Sequence, residues 1–204
     1  MSEAEAVVGS VFGSQTEAIS RYVDILASRG IEWGLLGPRE AERLWDRHVL
    51  NSVAIAGLIP QASTVVDVGS GAGLPGIPLA ILRPDLKVTL LEPLLRRVNF
   101  LELAVDELQL TGRVRVVRGR AEDHGRSYDV VTCRAVAPLP RLLGWCIPLL
   151  GVGGRLVALK GSTAADEVVQ AAPELRSAQL KARVEELTIP GATESTWAIV
   201  VTNR

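Results

Sequence analysis

The alternation of apolar and polar positions changes rhythm near residue 60. Before it, apolar residues recur at spacings of three and four. Ile19, Tyr22, Val23 and Leu26 form one helical stripe, which Gly30 stops. Pro38, suited to a first helical position, opens a second stripe through Ala41, Leu44, Trp45, His48, Val49, Ser52, Val53 and Ala56. From Thr64 onward, short β-branched runs alternate with longer amphipathic ones. The predicted strands are 64–68, 87–91, 114–118, 129–133 and 155–160; the predicted helices are 77–82, 95–108, 139–150 and 164–182. Two further runs, 184–189 and 196–202, flank Pro190-Gly191 and read as a hairpin. This pattern predicts an α/β fold: a mostly parallel sheet with helices on both faces and an antiparallel C-terminal hairpin. The expected organisation is an N-terminal helical extension over 1–60 and one compact domain over 61–204.

Composition narrows the class. Of 204 residues, 48% are hydrophobic and 22% charged, which suits one ordinary globular core and excludes a disordered chain. The net charge of −1 gives no chain-wide positive field, so any grip on nucleic acid must come from local basic patches. Cys133 and Cys146 sit in apolar contexts and read as free buried thiols, with one disulfide as the alternative. The first residues lack the basic start of a secretory signal, and the run 142–152 is too short for a bilayer. A soluble, cytoplasmic protein without a membrane partner is expected.

The chemistry concentrates at Val65-Val66-Asp67-Val68-Gly69-Ser70-Gly71-Ala72-Gly73-Leu74-Pro75-Gly76, which reads as strand, tight turn and helix start. Glycine serves where backbone must take positive φ or approach a ligand closely. Such a turn at the carboxyl end of a parallel strand is where open α/β sheets bind nucleotides. Two ligands fit the letters. Residues 71–76 satisfy the dinucleotide pattern GxGxxG, weak by itself. Residues 67–73 also spell Asp-x-Gly-x-Gly-x-Gly, the arrangement of S-adenosylmethionine (SAM) methyltransferases. A pyrophosphate wants free amides at the helix start, and Pro75 and Pro78 remove two of them, which favours the phosphate-free ligand.

Other residues join this constellation. Glu92, ending the second strand, is placed to accept ribose hydroxyls. Ala121 and Glu122, after the third strand, would frame an adenine ring, and Arg134 ends the fourth. Each has a structural alternative: Asp67 bracing the turn, Glu122 a solvated loop acid, Cys133 a small core residue. Arg134 is harder to dismiss, because a guanidinium ending a buried strand has a partner or a task. The Pro-Cys of C5-pyrimidine methylation and the Asn/Asp-Pro-Pro-aromatic signature of exocyclic-amine methylation are both missing. Thr132-Cys133-Arg134-Ala135 stands in their place.

With these residues assembled, the chain closely resembles the RsmG (GidB) family of small-subunit ribosomal RNA methyltransferases. The match covers about Arg39 to Gly161. It rests on Arg47-His48-Val49-Leu50-Asn51-Ser52, the glycine loop with its Gly-Leu-Pro-Gly-Ile-Pro extension, Ala121-Glu122, Arg134-Ala135-Val136-Ala137 and Leu159-Lys160-Gly161. The resemblance implies a Rossmann-like class I SAM-dependent methyltransferase, with SAM as cofactor and N7 of one guanine in small-subunit (16S) rRNA as acceptor. It also implies cofactor contacts from Gly69, Leu74, Ala121, Glu122 and Arg134. Asp67, Gly71, Gly73 and Glu92 complete the expected cofactor site on the fold argument. Because N7 carries no proton, no catalytic base is expected, and His48 and His124 lack the company of a metal site.

For RNA contact, Arg96, Arg97 and Arg47 are the candidates. Arg39, Arg43 and Arg47 fall four apart, and Glu40, Glu42 and Asp46 give them an alternative as a salt-bridged solvated face. Arg113, Arg115, Arg118 and Arg120 around the third strand read as an edge strand blunted by charge, with RNA contact as the alternative. His48 reads as a hydrogen-bonded interior histidine. The expected partner is small-subunit rRNA within the ribosomal subunit or an assembly intermediate, met by a monomer. The rival readings are an NAD(P)-dependent oxidoreductase, a non-catalytic SAM- or RNA-binding module, and a methyltransferase with a small-molecule or protein acceptor.

Overall fold

A computed structural model describes residues 3–189 and 195–203. Among these residues seven strands form one sheet in the order β3-β2-β1-β4-β5-β7-β6. The strands are β1 Thr64–Val68, β2 Lys87–Glu92, β3 Val114–Arg118, β4 Tyr128–Arg134, β5 Leu150–Lys160, β6 Leu180–Leu187 and β7 Thr196–Asn203. The first five pair in parallel, whereas β7 runs antiparallel to both β5 and β6. Val/Ile/Leu-rich segments with few polar residues suit strands buried on both faces. Register aligns Asp67 with Leu90 and Thr132, and Arg134 with Leu159. Gly69, Glu92, Arg134 and Lys160 therefore reach one carboxyl edge together.

The helices are α1 Glu3–Phe12, α2 Thr16–Ile25, α3 Asn51–Val53, α4 Gly76–Leu82, α5 Leu95–Glu107, α6 Leu139–Cys146, α7 Ala164–Gln170 and α8 Ala172–Ser177. The segment from Pro38 to Leu58 is helical but changes pitch, with 3-10 turns at both ends and a wide turn over Leu44–Leu50. Its predicted stripe is buried except at exposed Ala41 and half-buried Trp45 and Ala56. The N-terminal helices do not form a separate core. Ile19, Tyr22, Leu26, Val49 and Ile55 share one apolar cluster with Val65, Ile77, Leu79, Leu90 and Phe100 of the sheet domain.

Three of the departures from the expected boundaries have a visible cause. Gly30 does not stop α2: the chain turns on through Ile31, and the left-handed residue is Gly34, at φ +66°. The predicted helix over 164–182 is two short helices and the start of β6. Pro173 opens α8, left-handed Gln179 (φ +55°) ends it, and buried Leu180 begins the strand. The predicted helix over 139–150 closes as a 3-10 turn, Ile147–Leu149, and Leu150 already belongs to β5. The predicted Pro190-Gly191 turn lies outside the described residues.

Candidate active site

β1 delivers the chain into the glycine loop at the carboxyl edge. Gly69, Gly71 and Gly73 have φ of +70°, +58° and +96°, a region that strains any residue bearing a Cβ. Space is equally restrictive: a Cβ on Gly73 would lie 2.4 Å from Ile77 Cδ1, and one on Gly76 2.3 Å from Leu90 Cδ2. Asp67 is fully buried beneath the loop, where its Oδ2 accepts the Gly76 N–H at 3.0 Å. Burial outweighs the hydrogen bond from Gly76 and pushes this carboxyl up to about 7, while the Ser70 hydroxyl donates to the Asp67 main-chain O at 2.8 Å. Its Oδ1 has no partner among the described residues.

The start of α4 offers no free amides. Gly76 N–H goes to Asp67, Ile77 N–H to Gly73 O, Leu79 N–H to Pro75 O, and Pro78 has none to give. Within the loop, Gly69 and Ser70 donate to Leu91 O, Gly73 and Leu74 to Ser70 O, and Gly71 to Glu92 Oε2 at 2.9 Å. The usual set of four unsatisfied N–H groups at a helix start is therefore consumed internally. Few amides are left here for a pyrophosphate.

Glu92 is almost fully buried. Its Oε1 accepts the Leu94 N–H at 3.1 Å, and Arg97 Nη1 lies 3.8 Å from Oε2. Each carboxylate oxygen has a second lone pair for a hydroxyl donor. Ala121 is buried in the same apolar cluster as Leu91 and Val68, while Glu122 beside it is exposed. Leu74 lies buried at the loop's end, after which the Leu74–Pro75 peptide bond is cis.

Arg134 joins the N-terminal helices to this edge. Its Nη2 donates to Arg47 O at 2.8 Å and to His48 Nδ1 at 3.1 Å, while Nη1 donates to His48 O at 3.2 Å and Ser52 Oγ at 3.4 Å. All four acceptors are neutral. The guanidinium, half-buried and with its pKa lowered by burial, has no carboxylate hydrogen-bonded to it among the described residues. Because an Arg only donates, His48 Nδ1 must accept, so its Nε2–H donates to Glu40 Oε2 at 2.6 Å. Burial holds the imidazole below its usual pKa, against the pull of Glu40, so the neutral ring is the resident form. On the other side of the edge, the buried Tyr22 hydroxyl donates to Ala72 O at 2.7 Å. The N-terminal segment thus grips both the glycine loop and the end of β4.

A cavity of about 570 Å³ opens at the ends of β4 and β5, lined by Arg47, Asn51, Arg134, Ala137, Lys160 and Trp197 among others. Its floor is tied by Lys160, whose Nζ donates to Ala137 O at 2.7 Å and Glu167 Oε2 at 2.6 Å; the same Oε2 accepts Leu139 N–H at 2.8 Å. Ala135, with φ +53°, makes the bend that carries the chain around this cavity.

A family model described as rRNA small subunit methyltransferase G matches residues 15–195. The chain belongs to the rRNA small subunit methyltransferase G family. It is 51% identical over 196 residues to the protein of that name from Kineococcus radiotolerans, covering 95% of this chain and 77% of the relative. With the Nocardioides sp. protein of the same name it shares 56% over 172 residues, covering 83% and 68%. The fold is that of class I SAM-dependent methyltransferases. An O-methyltransferase from neocarzinostatin biosynthesis, solved with SAM and a naphthoic acid, superposes with TM-score 0.64 at 19% identity, covering 86% of this chain and 60% of that one.

Against this family frame, the structure brings Gly69, Gly71, Gly73, Leu74, Glu92 and Arg134 to one edge, with Asp67 directly beneath. Of the basic candidates, Arg47 lines the cavity and approaches Glu40 at 3.4 Å, Arg97 turns to Glu92, and exposed Arg96 lies beside the Gly34 turn. Sequence reasoning missed Tyr22, Glu167 and Trp197. Tyr22 carried a weak signal, a hydroxyl on an otherwise apolar stripe that needs a partner once buried. Trp197 carried none, because it sits within an apolar strand. Both thiols are free and buried, and the hydrogen bond with Cys146 together with burial pushes the Cys133 thiol up, which suits a core residue. Among the described residues no cluster of metal-ligating side chains occurs, and no helix is long and apolar enough to cross a membrane.

Proposed function

We propose that this chain transfers a methyl group from SAM to N7 of one guanine in small-subunit (16S) rRNA. The carrying observation is the carboxyl edge itself: a glycine loop whose amides, that of Ala72 apart, are spent internally, beside a guanidinium whose hydrogen-bond partners are neutral. The first disfavours a dinucleotide, and with it the oxidoreductase reading. The second fits a ligand bearing a carboxylate, which SAM has in its methionine portion. Gly69, Gly71, Gly73 and Leu74 would face that portion, Glu92 the ribose hydroxyls, Ala121 and Glu122 the adenine, and Arg134 the carboxylate. When bound, SAM supplies an electrophilic methyl group on a sulfonium.

The chain's own work is positioning. N7 of guanine offers a lone pair and no proton, so no side chain has to take one. This agrees with an edge at which Cys133 is buried and His48 is committed to Arg134 and Glu40. The cavity at the ends of β4 and β5 would take the base, with Arg47 toward the backbone phosphate. Holding acceptor and donor in line converts an encounter into an effectively unimolecular step. The substrate is the subunit or an assembly intermediate, met in the cytoplasm by a monomer. Labelled SAM and purified small ribosomal subunits test the reading: one guanine should acquire the label at N7. Label at another atom or on protein, or none, overturns it. Equal methylation of protein-free rRNA would remove the particle from the proposal.

A further inference from the structure

Among the described residues, no helix covers one half of one sheet face. The crossovers from β1 to β2, β2 to β3 and β4 to β5 pass through α4, α5 and α6, whereas β3 to β4 has only the 3-10 turn Ala121–Asp123. α6 and α7 pack over Val131, Cys133 and Leu156 on that face. The early parts of β1, β2 and β3 remain uncovered, and there the strands carry Thr64, Lys87, Thr89 and Arg115 in place of buried apolar residues. Two adjoining cavities of about 350 and 370 Å³ share Thr89, Arg115, Arg126 and Tyr128, forming one groove. Lys87 lines one end and His124 the other.

The groove is of one sign. Among the described residues no carboxylate lines either cavity; Asp129, the acid bonded to a lining residue, accepts the Thr64 N–H and hydroxyl at 2.7 Å each. Lys87, Arg115 and Arg126 make no ion pair among the described residues. The charges of Arg126 and Arg115 add to burial in holding the His124 imidazole below its ordinary pKa, so these cations converge on one place. Blunting of an edge strand accounts for arginines on β3, but not for Lys87 on interior β2 or Arg126 ahead of β4. A cleft lined by one sign of charge concentrates the opposite one.

We propose that this groove is a second RNA-binding surface, taking the phosphodiester backbone of substrate RNA away from the reacting base. It rests on the reading of the chain as an rRNA methyltransferase. The groove lies at the amino ends of the strands, roughly 15 Å along the sheet from the glycine loop. A few nucleotides bridge that span, so one RNA can occupy both.

The test compares wild type with Lys87→Glu/Arg115→Glu/Arg126→Glu and with the corresponding alanine triple, using methylation of small subunits and filter binding of protein-free 16S rRNA over a potassium chloride series. Both triples should raise KM for the subunit at least about tenfold and leave kcat and SAM affinity unchanged. They should also flatten the log–log salt dependence by about 2, as loss of roughly three phosphate contacts requires. Unchanged KM and slope in the alanine triple would overturn the proposal. So would a KM effect with unaltered binding to protein-free rRNA, which assigns the face to a ribosomal protein. If wild type methylated no subunit, the functional reading would fall separately, and the rRNA-binding slopes would still decide the groove.

Discussion

Arg134 and Asp67 show how single side chains set this edge. Arg134 gives its Nη donors to Arg47 O, His48 O, His48 Nδ1 and Ser52 Oγ, which leaves its Nε–H for a ligand carboxylate, and Arg134→Ala should weaken SAM binding or methylation by at least about tenfold. Calorimetric titration with SAM and subunit methylation check it; wild-type values in both reject the role. Asp67 and His48 titrate with opposite signs. Burial raises Asp67 to about 7, so the folded state holds its proton more tightly than the unfolded chain, and that stabilisation is lost as pH rises through about 7. Burial lowers His48, so its contribution is present above the ordinary histidine pKa and declines as pH falls below it. In wild type, Asp67 should therefore make urea midpoints fall between about pH 4 and about pH 7 and level off above, with His48 acting in the opposite sense below its ordinary pKa. Asp67→Asn should flatten that limb whatever its absolute stability, and an unchanged limb would show that Asp67 does not cause it.

At the level of elements, the glycine loop and α2 are coupled through one hydroxyl. Tyr22→Phe leaves the Ala72 carbonyl without its buried donor, at a cost of about 1–3 kcal/mol. Chemical denaturation measures that loss, and SAM affinity should fall with it because Ala72 belongs to the loop. Strands β1 and β3 lie where their β-branched runs end, and the loop's glycines take the left-handed backbone their spacing suggested. Local pattern failed where tertiary contacts decide. Leu180 and Ala182 continue a helical rhythm, yet left-handed Gln179 breaks it and the pairing of Leu180 with Asn203 makes a strand. Gly30 looked like a terminator, but Leu35 and Leu36 N–H groups return to its carbonyl, and Gly34 takes the turn instead. The placement of the glycines, Glu92 and Arg134 at the carboxyl edge was legible because each follows or ends a strand. The grip of Tyr22 and His48 was not, because it joins residues about fifty to ninety positions apart in the chain.

For the whole molecule, the N-terminal helices and the sheet share one core. Residues 61–204 expressed alone should lack a cooperative unfolding transition, because Ile77, Leu79 and Leu90 would lose the cover of Ile19, Tyr22, Leu26 and Val49. Circular dichroism and urea titration of that fragment decide it; a native-like transition would mean that the extension is dispensable. The strand order has a further consequence for biosynthesis. β6 leaves the ribosome before β7, yet among the described strands β7 is its one neighbour in the sheet and itself inserts against β5. Until β7 emerges, nascent β5 presents an open flank to the crowded cell, a hazard for sticking to other chains. A pause in translation between the codons for the two strands should therefore make this polypeptide lean hardest on chaperones.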